Sequence, residues 1–178
     1  MKLTRRKLLV TGAAVAGGGL ALTWLRPNRP PGLAGDPSVL EPSAWLQVTP
    51  AGEIILQVDK AELGQGVVTG FVTLVAEELD VAPALISHRF APVHPSFQDP
   101  IQLTGESQSM RRRHAHLRRT GAAAREMLLA AAAARLGVPV SEVDSDGRGG
   151  VVHAASSTRF TYGELATAAA TLPVPEDP

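Results

Sequence analysis

The 178-residue sequence contains no cysteine. That removes structural disulfides, thiolate metal sites, cysteine-held iron–sulfur clusters and cysteine nucleophiles together. Aromatic residues are scarce, at 4% against 44% hydrophobic residues overall, so alanine, leucine and valine must fill the core. Neither charge is in excess, with 17 residues of each sign, which gives no electrostatic reason to expect a nucleic-acid partner. No serine stands in a nucleophile-elbow pattern, so hydrolase chemistry has no support. Metal-site patterns are equally poor. Among His88, His94, His114, His116 and His153 only His114 and His116 are close, and their i, i+2 spacing points them to different faces of a helix. Asp144-Ser145-Asp146-Gly147 begins like a calcium loop but lacks the later acidic ligands, and reads as a turn.

What is present begins with an address. Lys2, Arg5, Arg6 and Lys7 precede an apolar run from Leu8 to Leu25, and Thr4-Arg5-Arg6-Lys7-Leu8-Leu9 resembles the twin-arginine export motif. Glycines at Gly17, Gly18 and Gly19 weaken both helix and hydrophobicity, which disfavours an ordinary secretory signal or a lone membrane anchor. Residues 1–25 are therefore expected to be a twin-arginine signal or anchor, with the working part periplasmic or attached to the outer face of the inner membrane.

Residues 26–42 have the proline-rich composition of a linker, residues 43–172 read as the folded domain, and residues 173–178 as an acidic, proline-rich tail. Within the domain, Ala44 to Thr49 and Glu53 to Val58 flank Pro50-Ala51-Gly52 and predict a hairpin. Apolar residues at Val68, Phe71, Val72, Val75, Ala76 and Leu79 predict a helix over 67–79, stopped before Pro83. Ile86 to Val93 reads as a strand. A long alanine-rich helix is expected over 109–136, ending at Gly137, with Gly121 placed to let a neighbouring backbone come close. Val151-Val152-His153 and Arg159-Phe160 read as short strands, and Thr161 and Glu164 stand at capping-box spacing for a last helix. The order β-β-α-β-α-β-β-α predicts an α+β fold, with helices packed on a small mixed sheet.

Two segments carry chemistry. In Glu62-Leu63-Gly64-Gln65-Gly66-Val67, two glycines let the backbone approach a bulky group and present an amide side chain and a helix N-terminus to it. In Leu103-Thr104-Gly105-Glu106-Ser107-Gln108-Ser109-Met110-Arg111, hydroxyls, a glycine amide and an arginine could hold a phosphate or another anion. The plainer readings are a turn for the first and a helix cap for the second.

The run Asp59-Lys60-Ala61-Glu62-Leu63-Gly64-Gln65-Gly66-Val67-Val68-Thr69, followed by Leu74-Val75-Ala76-Glu77-Glu78-Leu79, resembles the molybdopterin-binding large subunit of the xanthine dehydrogenase/aldehyde oxidase family. The likeness is strongest to the exported branch of isoquinoline 1-oxidoreductase beta subunits and related aldehyde dehydrogenases. Thr104, Gly105, Ser107, Ser109 and Arg111 match a second family stretch, and Leu117-Arg118-Arg119-Thr120-Gly121-Ala122-Ala123-Ala124-Arg125 and Tyr162-Gly163-Glu164-Leu165 follow in order. The resemblance implies a partial molybdopterin-binding domain, with Gln65 beside the molybdenum rather than a ligand to it. Gly64, Gly66, Thr104, Gly105, Ser107, Ser109 and Arg111 would line the cofactor, molybdopterin in its cytosine dinucleotide form. It further implies hydroxylation of an aldehyde or N-heteroaromatic carbon, with electrons passing to a two-cluster iron–sulfur subunit and a membrane cytochrome c.

The sequence also departs from the family. Glu106 stands where the family usually has a second glycine, and Gln108 where it has threonine. A carboxylate there repels a phosphate at short range. The remaining basic residues around Arg112 and Arg113 read as a solvated helix face. Family large subunits are several times longer, and nothing here matches the glutamate that serves as their general base. The chain is thus expected to be an N-terminal fragment or split subunit, needing the rest of a large subunit and not catalytic alone. The alternative is a non-catalytic exported binding or interaction module, or a truncated remnant.

Overall fold

The computed structural model describes residues 36–98 and 101–178; the arginine pair Arg5 and Arg6 and the rest of the expected export signal lie outside them. Strands β1 (Leu40–Ser43), β2 (Leu46–Val48) and β3 (Ile54–Val58) lead into helix α1 (Val67–Leu79), strand β4 (Ile86–Phe90) and helix α2 (Ser109–Leu136). Strands β5 (Asp144–Ser145), β6 (Gly150–His153) and β7 (Thr158–Thr161) precede helix α3 (Tyr162–Ala169). The class is α+β, but the strands form two sheets rather than one. The first has the order β1-β2-β3-β4 and the second β5-β6-β7. Among the described residues, no helix is long and apolar enough to cross a membrane.

The β2–β3 hairpin forms where alternation predicts it, with Leu46 opposite Leu56 and Val48 opposite Ile54. Gly52 closes its turn at φ 86, donating its N–H to the Thr49 carbonyl at 2.9 Å. β3 then feeds α1, which returns the chain so that β4 lies parallel to β3, Ile54 against Ile86 and Val58 against Phe90. That β-α-β crossover is the usual way to join parallel neighbours. β1 begins within the stretch read as linker and ends at Ser43, the first residue of the expected domain, and its Leu40 is fully buried.

Helix α1 buries Val67, Phe71, Val75, Ala76 and Leu79 on one stripe. Each large side chain so buried is worth about 1.5–3 kcal/mol. α2 packs against it through small residues, and the crossing sits at Gly121, as its position predicted. A Cβ there would lie 2.8 Å from the Val75 carbonyl oxygen and 3.0 Å from Glu78 Cβ. α2 ends at Gly137 in the left-handed conformation, φ 71, with its N–H directed to the Ala133 and Ala134 carbonyls.

The capping box of α3 is complete. Thr161 Oγ1 accepts the Glu164 N–H at 3.2 Å, and Glu164 Oε2 accepts the Thr161 N–H at 2.7 Å. Those bonds from Thr161 hold the Glu164 carboxyl below its ordinary value. The next residue, Tyr162, is buried and donates its hydroxyl to the Leu79 carbonyl at 2.8 Å, joining α3 to the end of α1. Burial, and then the charge of Asp80, push that phenol above its usual range. Of the Asp144–Gly147 stretch read as a turn, Asp144 and Ser145 instead form β5 by pairing with β6, and the turn begins at Asp146, whose Oδ1 accepts the N–H groups of Arg148 at 2.8 Å and Gly150 at 2.9 Å.

Candidate functional site

The loop after β3 and the loop before α2 meet at the C-terminal ends of the two parallel strands, the end at which open parallel sheets usually bind ligands. They are tied by one hydrogen bond, from the Ala61 N–H to Thr104 Oγ1, at 2.7 Å. Between them lies an open cleft of about 450 Å³, lined by Gln65, Gly66, Thr104, Gly105, Ser107 and Ser109, with Leu63 and Met110 as apolar walls. Sequence reasoning nominated the six polar and glycine positions from two segments some forty residues apart, and the fold brings them together. Gly64 and Arg111 do not line this cleft; Arg111 is solvent-exposed.

The first loop is organised by its own side chains. Glu62 Oε1 accepts the N–H groups of Gly64 at 2.9 Å and Gly66 at 3.0 Å, and Oε2 accepts the Val68 N–H at 3.1 Å. The Glu62 carboxylate therefore occupies the N-terminus of α1, where free N–H groups and the helix dipole favour a negative charge. The bonds from Val68 and Gly66 hold its pKa below the ordinary 4.5. Gln65 is likewise turned inward. Its Oε1 accepts the Leu63 N–H at 2.5 Å and its Nε2 donates to the Ala61 carbonyl at 2.8 Å. The sequence suggested that the helix N-terminus and this amide face a ligand; both are instead satisfied within the loop. Gly64 at φ 92 and Gly66 at φ 78 supply the left-handed backbone that this wrapping demands.

The second loop carries strain at the place where the sequence departs from the pattern it resembles. Glu106 and Ser107 are both left-handed, at φ 57 and φ 54, in a conformation that disfavours residues bearing a Cβ. Glu106 Oε2 accepts from Gln108 Nε2 at 3.0 Å, and Gln108 Oε1 in turn accepts from Arg112 Nε. The two departing positions thus bond to each other, and Gln108 links them to Arg112. No side-chain hydrogen bond occupies Ser107 or Ser109 among the described residues, so both hydroxyls are available to a ligand.

Beneath the loops sits a feature the sequence reading missed. Arg113, expected on a solvated face, is 2% exposed and donates through Nε and Nη2 to Asp59 Oδ2 at 3.0 and 2.7 Å. Nη2 also reaches the Phe97 carbonyl at 3.0 Å, and the guanidinium lies 5.0 Å from the Trp45 ring centroid. Lys60, also buried, pairs with the same carboxylate oxygen at 2.9 Å. Asp59 opens the first motif and Arg113 follows the second, so a buried charge cluster ties the roots of both loops together. On the same helix, His116 stacks edge-on against Trp45 at 4.9 Å while His114 lines a separate groove beside Glu78 and Arg118, so the two imidazoles diverge.

Residues 11–177 match the molybdopterin cofactor-binding domain family. The isoquinoline 1-oxidoreductase subunit beta of Brevundimonas diminuta is 33% identical over 82% of this chain, and the match covers 20% of that protein. The membrane-bound aldehyde dehydrogenase [pyrroloquinoline-quinone] of Gluconacetobacter polyoxogenes is 28% identical over 76% of the chain and is covered for 18% of its length. Quinoline 2-oxidoreductase from Pseudomonas putida 86 shares the fold, with a TM-score of 0.52 at 16% identity over 69% of this chain and 15% of that one. The chain thus spans about a fifth of the length of the curated relatives it matches. With its two loop motifs meeting at one cleft and the family match running almost end to end, the chain belongs to the molybdopterin cofactor-binding domain family.

Proposed function

We propose that this chain forms one wall of the cofactor site in an exported molybdenum hydroxylase acting on aldehydes or N-heteroaromatic compounds, and that it works only when joined by the rest of a large subunit. The observation that carries this reading is the cleft in which the Gln65–Gly66 turn faces the Thr104–Ser109 loop. Its residues fit the group as a partial wall. Thr104, Ser107 and Ser109 offer hydroxyls and Gly105 a slim backbone. At Gly66 no atom lies within 4 Å of where a Cβ would stand. Glu106 opposes a phosphate at short range, so the wall suits the hydrogen-bonding pterin heterocycle of a cytosine dinucleotide cofactor better than its phosphates. Bound there, the cofactor would supply the redox centre for oxygen transfer from water to a substrate carbon. Gln65 would reach a ligand only by exchanging its bonds to Leu63 and Ala61 for the new one.

The partners in this reading are the remaining large-subunit polypeptide, a two-cluster iron–sulfur subunit and a membrane cytochrome c. The 178 residues contain no cysteine and so offer no thiolate to such a cluster. The Arg5-Arg6 pair supports export by the twin-arginine route to the periplasm or the outer face of the inner membrane. A second reading, a non-catalytic interaction module, is favoured by Glu62, which already fills the α1 N-terminus, and by Glu106 at the cleft. The test is purification from the native host with molybdenum and pterin assayed by mass spectrometry. Near-stoichiometric metal and pterin are expected, together with polypeptide matching the rest of the relatives' length. A lone chain with neither metal nor pterin overturns the proposal in favour of the second reading.

A further inference from the structure

The end of the molecule that carries the cleft is unusually apolar. Phe90 is 58% exposed, Val93 85%, Ile101 60%, Leu103 52% and Leu63 76%. They are neighbours. Gln102 Nε2 donates to the Ala91 and Pro92 carbonyls at 3.3 and 3.2 Å, which lays the Ile101–Leu103 stretch against the chain leaving β4. The Ala61–Thr104 bond lays the same stretch against the loop that bears Leu63. Beside this patch runs β4, the last strand of its sheet. Only Ile86 of its five residues is buried; Ser87 through Phe90 are exposed on both faces. An edge strand bare on both faces, next to a contiguous apolar patch, marks a surface that another polypeptide covers.

We propose that β4 and this patch are the docking face for a segment of the large subunit that the chain does not span, which adds a strand alongside β4 and covers Phe90, Val93, Ile101 and Leu103. The occupant follows from length: about four-fifths of the curated relatives lies outside the matched region, whereas this chain supplies nothing else to shield the strand among the described residues. A parallel edge also accepts a further strand through main-chain bonds, with alternate side chains setting the specificity. A membrane surface is disfavoured because His88 and Arg89 interrupt the apolar residues along the strand. This inference rests on the proposed function only for the identity of the partner, not for the existence of the face.

The test compares the full chain alone with the assembly recovered from the native host, reading amide hydrogen exchange in β4 and the composition of the assembly. Phe90→Lys and Val93→Lys variants serve as probes, since both side chains are exposed and their replacement leaves the core intact, which circular dichroism checks. The expected result is at least tenfold slower exchange of the β4 amides in the assembly. Both variants should also lose polypeptide identified by sequence as the relatives' remaining region. Unchanged exchange, assembly unaffected by either variant, or recovery of the chain alone overturns the proposal. So does concentration-dependent dimerisation of the chain that Phe90→Lys abolishes, which assigns the face to a second copy, or binding to anionic vesicles that it abolishes. Molybdenum and pterin are counted separately in the same material. Assembly through β4 without metal sinks the enzymatic reading and leaves the docking face, whereas a loaded assembly indifferent to both variants does the reverse.

Discussion

Asp59 receives Arg113 through a single oxygen: Oδ2 takes both guanidinium bonds and the Lys60 ammonium, while Oδ1 is buried with no hydrogen-bond partner among the described residues. Two buried cations thus share one carboxylate oxygen at the root of both site loops. Removing one member of a buried pair strands the other, which costs about 3–5 kcal/mol.

Asp59→Asn strands two cations and Arg113→Met leaves the Asp59–Lys60 pair in place. Asp59→Asn is therefore expected to be the more damaging, at the upper end of that range. Urea unfolding of the two variants checks the order; equal losses would show that Lys60 escapes to solvent once its partner is gone.

Two helical glycines separate crowding from propensity. At Gly121 the added methyl meets the Val75 carbonyl oxygen at 2.8 Å, backbone that cannot move aside. Gly121→Ala is expected to lose about 1–3 kcal/mol to overpacking, more than the helix propensity it gains. At Gly70 the obstacle is Met110 Sδ at 2.9 Å, the far end of a flexible side chain. Gly70→Ala is expected to be neutral or to gain up to about 1 kcal/mol. Thermal melts of both variants give the contrast.

Glu106→Gly should relax the left-handed backbone at φ 57 and gain about 0.5–1 kcal/mol, despite the lost bond to Gln108. The same change removes a carboxylate from the cleft. Denaturant midpoints of the variant and the parent decide; a lower midpoint would mean that the Glu106–Gln108–Arg112 chain outweighs the backbone strain.

Acid should loosen the first loop. The folded-state pKa of Glu62 lies below 4.5, so its ionised form stabilises the fold fully above that pH, and the contribution is lost as pH falls through the lowered value. Glu164 acts in the same direction from the α3 cap. The melting temperature is expected to fall as pH drops from about 4.5 toward 3, and Glu62→Gln should flatten part of that slope. A parallel slope in the variant would locate the acid sensitivity elsewhere.

Helices α1 and α2 were legible with their boundaries and α3 with its start, because periodicity, a terminal glycine and the Thr161–Glu164 spacing are local signals. β1 was not: Pro42 and the proline-rich stretch before it resemble a linker, and only pairing with β2 and the burial of Leu40 make it a strand. β5 is two residues long and exists through its partner β6. The cleft residues were legible as motifs, but the inward turn of Gln65 and the Glu62 carboxylate at the α1 N-terminus were not, since a sequence does not say which amides a side chain meets. Arg113 was misread because it sits in a run of charges, and the carboxylate that buries it comes 54 residues earlier.

The last helix also closes the first strand. Thr167 Oγ1 donates to the Ser38 carbonyl at 3.2 Å across 129 residues of sequence, and Tyr162 reaches Leu79 across 83. Strand β1 therefore depends on a helix from the other end of the described residues, and the packing around Leu40 and Leu46 is completed by contacts far apart in sequence. Contacts of such high sequence separation slow folding, and an intermediate in which α3 has not yet docked leaves part of the core exposed to aggregation.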